Sequence, residues 1–162
     1  ERLLGGRCVL EPTVAAYHLD YDAAQRQGNA YAGTNFALPH RDCSYSDGWK
    51  ADGTAKALTV WVPVTEVTAD NGCMFVIPRE FDSHFERDEA AEHMLVLSTG
   101  WLKGKSFLSF PLAGARALYP ASPGTLMAWY SNVIHWGGQC HASGRHCPRA
   151  SLAVVFRLAD SL

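Results

Sequence analysis

His40 and Asp42 stand at i and i+2 in the segment PHRD. In extended backbone, side chains two apart project to one side, so this imidazole and this carboxylate can share a metal ion. His135 lies far downstream in VIHWGGQ, just after an apolar run. Two imidazoles and one carboxylate on one face of an ion make the facial triad of non-haem Fe(II) oxygenases, which leaves coordination positions open. A 2-oxo acid can chelate through its keto oxygen and carboxylate, and O2 can take the position left. The far carboxylate of that cosubstrate then needs a cation, and the planar fork of arginine binds a carboxylate in two places at once. Arg149 opens the last apolar run, and Ser151, two residues on, shares its face and adds a hydroxyl donor. Arg145 is the competing cation, but Arg149 directly precedes the strand and carries Ser151. H-x-D alone is a weak signal; H-x-D, a distant H and then R-x-S form a much sharper one.

These groups need short strands to bring them together, and the sequence supplies the signals. Thr13–Tyr21 reads as an early strand or a short helix after Pro12, and 22–28 as a polar loop. Tyr31–Asp42 reads as a strand running into polar residues. Ala57–Val64 (ALTVWVPV) is rich in β-branched and aromatic residues and reads as a strand. Asp70-Asn71-Gly72 is a tight-turn signal, and Cys73–Ile77 reads as the return strand of a hairpin with it. Residues 81–94 carry Asp82, Glu86, Asp88, Glu89 and Glu92 and read as a surface helix or an excursion over the fold. Further strands are expected over 106–110, 115–119 and 125–130, with Pro123-Gly124 as a turn. Arg149–Leu158 (RASLAVVFRL) is the last. Many short strands with little helix predict an all-β jelly roll with minor helical decoration.

Composition sets the outer limits. The chain has 162 residues, 48% hydrophobic and 19% charged, which suits one globular domain over 1–162. Lys and Arg number 14 against 16 Asp and Glu, a net charge of -2, so the basic footprint of a nucleic-acid binder is absent. No apolar run reaches the ~20 residues of a membrane span. No secretory signal pattern opens the sequence. Five cysteines, an odd number with no C-x-x-C, fit free thiols in a reducing cytoplasm better than a disulfide framework.

The chain resembles the phytanoyl-CoA dioxygenase-like family of Fe(II)- and 2-oxoglutarate-dependent oxygenases. The resemblance runs from about Tyr31 to Phe156. It rests on PHRD at 39–42, LTVWVPVT at 58–65, DNGCMFVIP at 70–78, SPGTLMAWYSNVIHWGG at 122–138 and PRASLAVVF at 148–156. It implies a double-stranded β-helix, a distorted jelly roll of cupin-like type. It also implies that His40, Asp42 and His135 hold Fe(II), that Arg149 with Ser151 binds the C5 carboxylate of 2-oxoglutarate, and that Trp61 lies beside that cosubstrate. The reaction implied is hydroxylation of an aliphatic C–H of a small molecule by O2, with release of succinate and CO2. The chain departs from the family in having Pro78-Arg79-Glu80-Phe81 after the Asn-Gly turn. It is also short for the family and lacks much of its N-terminal helical region. Tyr17, His18 and Thr34 are further candidates for contact with cosubstrate or substrate. Cys140, His141, His146 and Cys147 do not match the usual zinc-finger spacings. A cupin-like metal enzyme without 2-oxoglutarate and a non-catalytic binding module stay open as alternatives.

Overall fold

The computed structural model describes residues 2–26, 39–87, 94–96, 106–108 and 110–161. The strands are β1 (Cys8–Leu19), β2 (Ala57–Pro63), β3 (Met74–Val76), β4 (Met94–Val96), β5 (Ser106–Leu108), β6 (Arg116–Leu118), β7 (Met127–Tyr130), β8 (His135–Gly137) and β9 (Arg149–Leu158). β1, β9, β2 and β7 form one antiparallel sheet in that order, and β6, β3 and β8 form a second. His40 adds a single rung to β8 through an antiparallel bridge to His135. β4 and β5 pair with each other apart from both sheets. This is the jelly roll that the strand pattern predicts.

Strand alternation decides what faces the interior. On β9 the odd positions Arg149, Ser151 and Ala153 point inward, and register places Tyr17, Pro63 and Trp61 beside them: Tyr17 and Pro63 flank Ser151, and Trp61 flanks Ala153. Thr59 and Trp129 are paired across β2 and β7 on the same face. Trp61, Trp129, Met74, Cys73, Val67 and Ala121 form the buried core between the sheets. Fully burying a side chain of this kind is worth roughly 1.5–3 kcal/mol, so this cluster supplies much of the adhesion between the layers. The even positions of β9 face the other way, and Leu152 is 39% exposed there.

Two expectations change and two open alternatives narrow. β2 and β3 do not form a hairpin: β2 pairs with β7 and β9, whereas β3 pairs with β6 and β8. The turn itself is real, since Gly72 has φ +89°. However, Asn71 is fully buried, donates from Nδ2 to the carbonyls of Glu66 and Cys147, and accepts from the Thr68 N–H, so the segment crosses between sheets. The early segment is a strand, and it is followed by a short helix, α1 (Tyr21–Arg26), where a loop was expected. The Asp20 carboxylate caps that helix by accepting from the Ala23 N–H at 2.7 Å. A second short helix, α2 (Tyr45–Gly48), is capped by Ser44. A 3-10 turn at Arg79–Phe81 leads into the acidic stretch, whose described residues up to 87 form tight turns, the excursion of the two readings rather than the surface helix. Residues 88–93 of that stretch, and 31–38 of the strand expected before His40, lie outside the described residues, as does Thr34.

Candidate active site

His40 and His135 come together through the backbone: each donates its N–H to the other's carbonyl, at 3.0 and 2.9 Å. Their rings sit 4.4 Å apart. Asp42 Oδ1 lies 3.7 Å from His40 Nε2 and 3.5 Å from His135 Nε2. All three donor atoms fall within 4.8 Å of one another, the one such group of His, Cys, Asp or Glu found among the described residues. One ion can draw such a set together with small side-chain shifts.

Each donor is aimed by its surroundings. His135 is 4% exposed, and its Nδ1 lies 2.9 Å from the Val133 carbonyl. A carbonyl can only accept, so the proton belongs on Nδ1 and the Nε2 lone pair faces the site. Burial holds the His135 pKa below its ordinary value, against the pull of the Asp42 carboxylate. The imidazole is therefore neutral at pH 7, the form that binds metal. Asp42 Oδ2 accepts from Thr59 Oγ1 at 2.7 Å, which leaves Oδ1 turned to the histidines. Ser131 Oγ lies 3.1 Å from the same threonine hydroxyl. The backbone of Asp42 donates to the Ser131 carbonyl at 2.9 Å. The turn before β8 thus supports two of the three donors.

A cavity of about 280 Å³ opens beside this group. Its walls include all three donors together with Tyr17, Trp61, Trp129 and Arg149. Arg149 is 2% exposed, and its Nε and Nη1 have no hydrogen-bond partner among the described residues. The same holds for the hydroxyl of Ser151, itself 1% exposed. The guanidinium sits over the Trp61 ring at 5.3 Å. Burial pushes its pKa down to about 10, so it stays a cation at neutral pH. A buried cation and hydroxyl with unmet donors fit an incoming carboxylate. Both the metal and a 2-oxo dicarboxylate therefore suit the residues present.

The sequence-derived residues His40, Asp42, His135, Arg149 and Trp61 all line this cavity, and Ser151 is buried on the strand face that Arg149 shares. Arg145 is not among them: it is half-exposed and pairs with Asp22 at 2.9 Å. Tyr17 reaches the cavity, whereas His18, its neighbour along β1, projects to the opposite face. Sequence reasoning missed Thr59 and Ser131. Thr59 carried one usable signal, since it shares a strand face with Trp61.

The sequence profile of the family described as phytanoyl-CoA dioxygenase matches residues 7–147. Among solved structures, the chain is similar to the non-heme monooxygenase ThoJ in its apo form, at 16% identity and TM-score 0.61, covering 97% of this chain and 49% of that one. It is similar to EctD from S. alaskensis, solved with 2-oxoglutarate and 5-hydroxyectoine, at 18% identity and TM-score 0.58, covering 98% and 47%. It is also similar to the non-heme alpha-ketoglutarate-dependent epimerase SnoN from nogalamycin biosynthesis, at 19% identity and TM-score 0.57, covering 96% and 51%. These likenesses show the fold. The chain spans about half the length of each of these structures.

Proposed function

The chain belongs to the phytanoyl-CoA dioxygenase family, and we propose that it is an Fe(II)- and 2-oxoglutarate-dependent dioxygenase that hydroxylates an aliphatic C–H of a small molecule. In this reading His40, Asp42 and His135 hold Fe(II), Arg149 and Ser151 take the far carboxylate of 2-oxoglutarate, and Trp61 walls the cosubstrate. With Fe(II), 2-oxoglutarate and O2 bound, the site gains an oxidant for unactivated C–H bonds, and the cosubstrate leaves as succinate and CO2. The chain's own contribution is placement. Val133 and Thr59 aim two donors, the Arg149 guanidinium lies over the Trp61 ring, and Trp61 and Trp129 line the cavity.

One observation carries the reading. A buried arginine with unmet donors shares a cavity with a two-histidine, one-carboxylate group. That cation favours a dicarboxylate cosubstrate over a metal enzyme that uses none. We read residues 1–162 as one domain. All five cysteines are free thiols, which supports a cytoplasmic setting, and no helix among the described residues is long and apolar enough to cross a membrane. The test is succinate release with Fe(II), ascorbate and a panel of small molecules. Succinate formed with a hydroxylated product supports the proposal. Turnover without 2-oxoglutarate favours the cupin-like alternative, and absence of both metal and 2-oxoglutarate binding favours a non-catalytic module. Epimerised product with succinate release keeps the cosubstrate chemistry and replaces only the outcome.

A further inference from the structure

Arg41 lies between two proposed metal ligands, and its guanidinium grips Asp82 in a fork: Nη1 donates to Oδ2 at 2.7 Å and Nη2 to Oδ1 at 3.1 Å. Both side chains are buried, at 7% and 2% exposure. Nη1 also donates to the Asn132 carbonyl at 2.6 Å, three residues before His135. Asn132 is fully buried; its Oδ1 accepts from Trp49 Nε1 at 2.8 Å and its Nδ2 donates to the Phe85 carbonyl at 3.2 Å. A single polar network therefore joins the H-x-D segment, the turn before β8 and the excursion after β3. A buried ion pair is weak evidence for stability, because apolar residues of similar volume often serve as well. Its forked geometry, by contrast, fixes direction.

We propose that Arg41 and Asp82 are a positioning pair that holds His40 and Asp42 at the spacing a shared metal ion needs. Neither touches the ion; Arg41 acts through the backbone of its two neighbours and Asp82 through Arg41. The inference rests on the reading that His40, Asp42 and His135 bind metal. It adds that the excursion 79–87 is fastened to the metal motif rather than merely lying over it.

The test uses Co(II) as a visible probe of the metal site. In the double variant Arg41→Met/Asp82→Leu both charges leave together, so no buried charge is stranded. Its Co(II) dissociation constant should rise about 10–100-fold, the range typical of outer-shell partners, with an altered visible spectrum. Arg41→Lys keeps the charge but not the fork and should fall between. Arg157→Met, which removes the distant pair with Glu11, should leave Co(II) affinity and spectrum alone. A folded double variant with wild-type affinity and spectrum overturns the proposal. Should the double variant not fold, Asp82→Asn is measured in its place: weakened Co(II) binding supports the pair, and wild-type binding overturns it. If wild type takes up no Co(II), the metal reading itself fails and takes this one with it, a result distinct from an unaffected variant.

Discussion

His40 and His135 are bonded to each other through two backbone hydrogen bonds, of 3.0 and 2.9 Å. The distance between two proposed ligands is thus set by a β-bridge rather than by side-chain packing. The separation of these two imidazoles survives as long as the second sheet does. Changing a ligand side chain should therefore separate metal binding from folding.

Asp42→Ala should lose metal affinity by more than the about 100-fold typical of outer-shell changes, because a direct ligand is gone. Far-UV circular dichroism should remain that of the wild type. Isothermal titration with a divalent metal and a melting curve on the same sample check both halves. Wild-type affinity in the variant would remove Asp42 from the site.

Arg149→Ala should raise the 2-oxoglutarate KM by about 10–100-fold, since charge-assisted hydrogen bonds are worth about 1.5–3 kcal/mol. Arg145→Ala should leave that KM alone, because Arg145 is committed to Asp22 at the surface. Initial-rate kinetics at varied cosubstrate decide between them, and the reverse pattern would transfer the role to Arg145.

Gly72→Ala should destabilise the fold by roughly 1–3 kcal/mol, the cost of holding an ordinary residue in left-handed backbone. The glycine has φ +89°, and an added Cβ would meet Leu19 Cδ1 at 2.7 Å, the Gly138 carbonyl oxygen at 3.0 Å and Arg149 Nε at 3.8 Å. Cosubstrate affinity should weaken too. Thermal melts with and without 2-oxoglutarate measure both, and an unchanged melt would show that the turn tolerates a side chain.

Cys73 and Cys140 should resist alkylation in the native protein, whereas Cys8 and Cys147 react. The first two are buried, and burial pushes their thiol pKa values up. A raised pKa keeps the unreactive thiol form to higher pH, so native labelling of these two should stay slow even as pH approaches the ordinary thiol range. Peptide mass spectrometry after timed iodoacetamide treatment reads this directly. Fast labelling of Cys73 would mean that the core between the sheets opens to bulk water.

The chemistry was more legible in the sequence than the connections. His40, Asp42, His135, Arg149 and Ser151 are marked by residue type and by spacing on strands, and β2 and β9 announce themselves by β-branched residues. β8 does not, because three residues, His-Trp-Gly, carry no periodicity and become a strand only through their partners β3 and His40. Asn71-Gly72 has hairpin chemistry, yet Asn71 spends its amide on Glu66 and Cys147, distant groups that no local pattern reveals. α1 was hidden because its capping residue, Asp20, sits at the end of a strand. Thr59 and Ser131 are ordinary residues until the fold places them behind Asp42.

The sharpest experiment is an anaerobic titration of the purified protein with Fe(II) and then 2-oxoglutarate, followed by visible absorption. One Fe(II) should bind per chain, a charge-transfer band should grow with 2-oxoglutarate, and that band should need far more cosubstrate in Arg149→Ala. Fe(II) that fails to bind, or a cosubstrate that binds equally well without the Arg149 guanidinium, would show that this cavity is not an Fe(II)/2-oxoglutarate site.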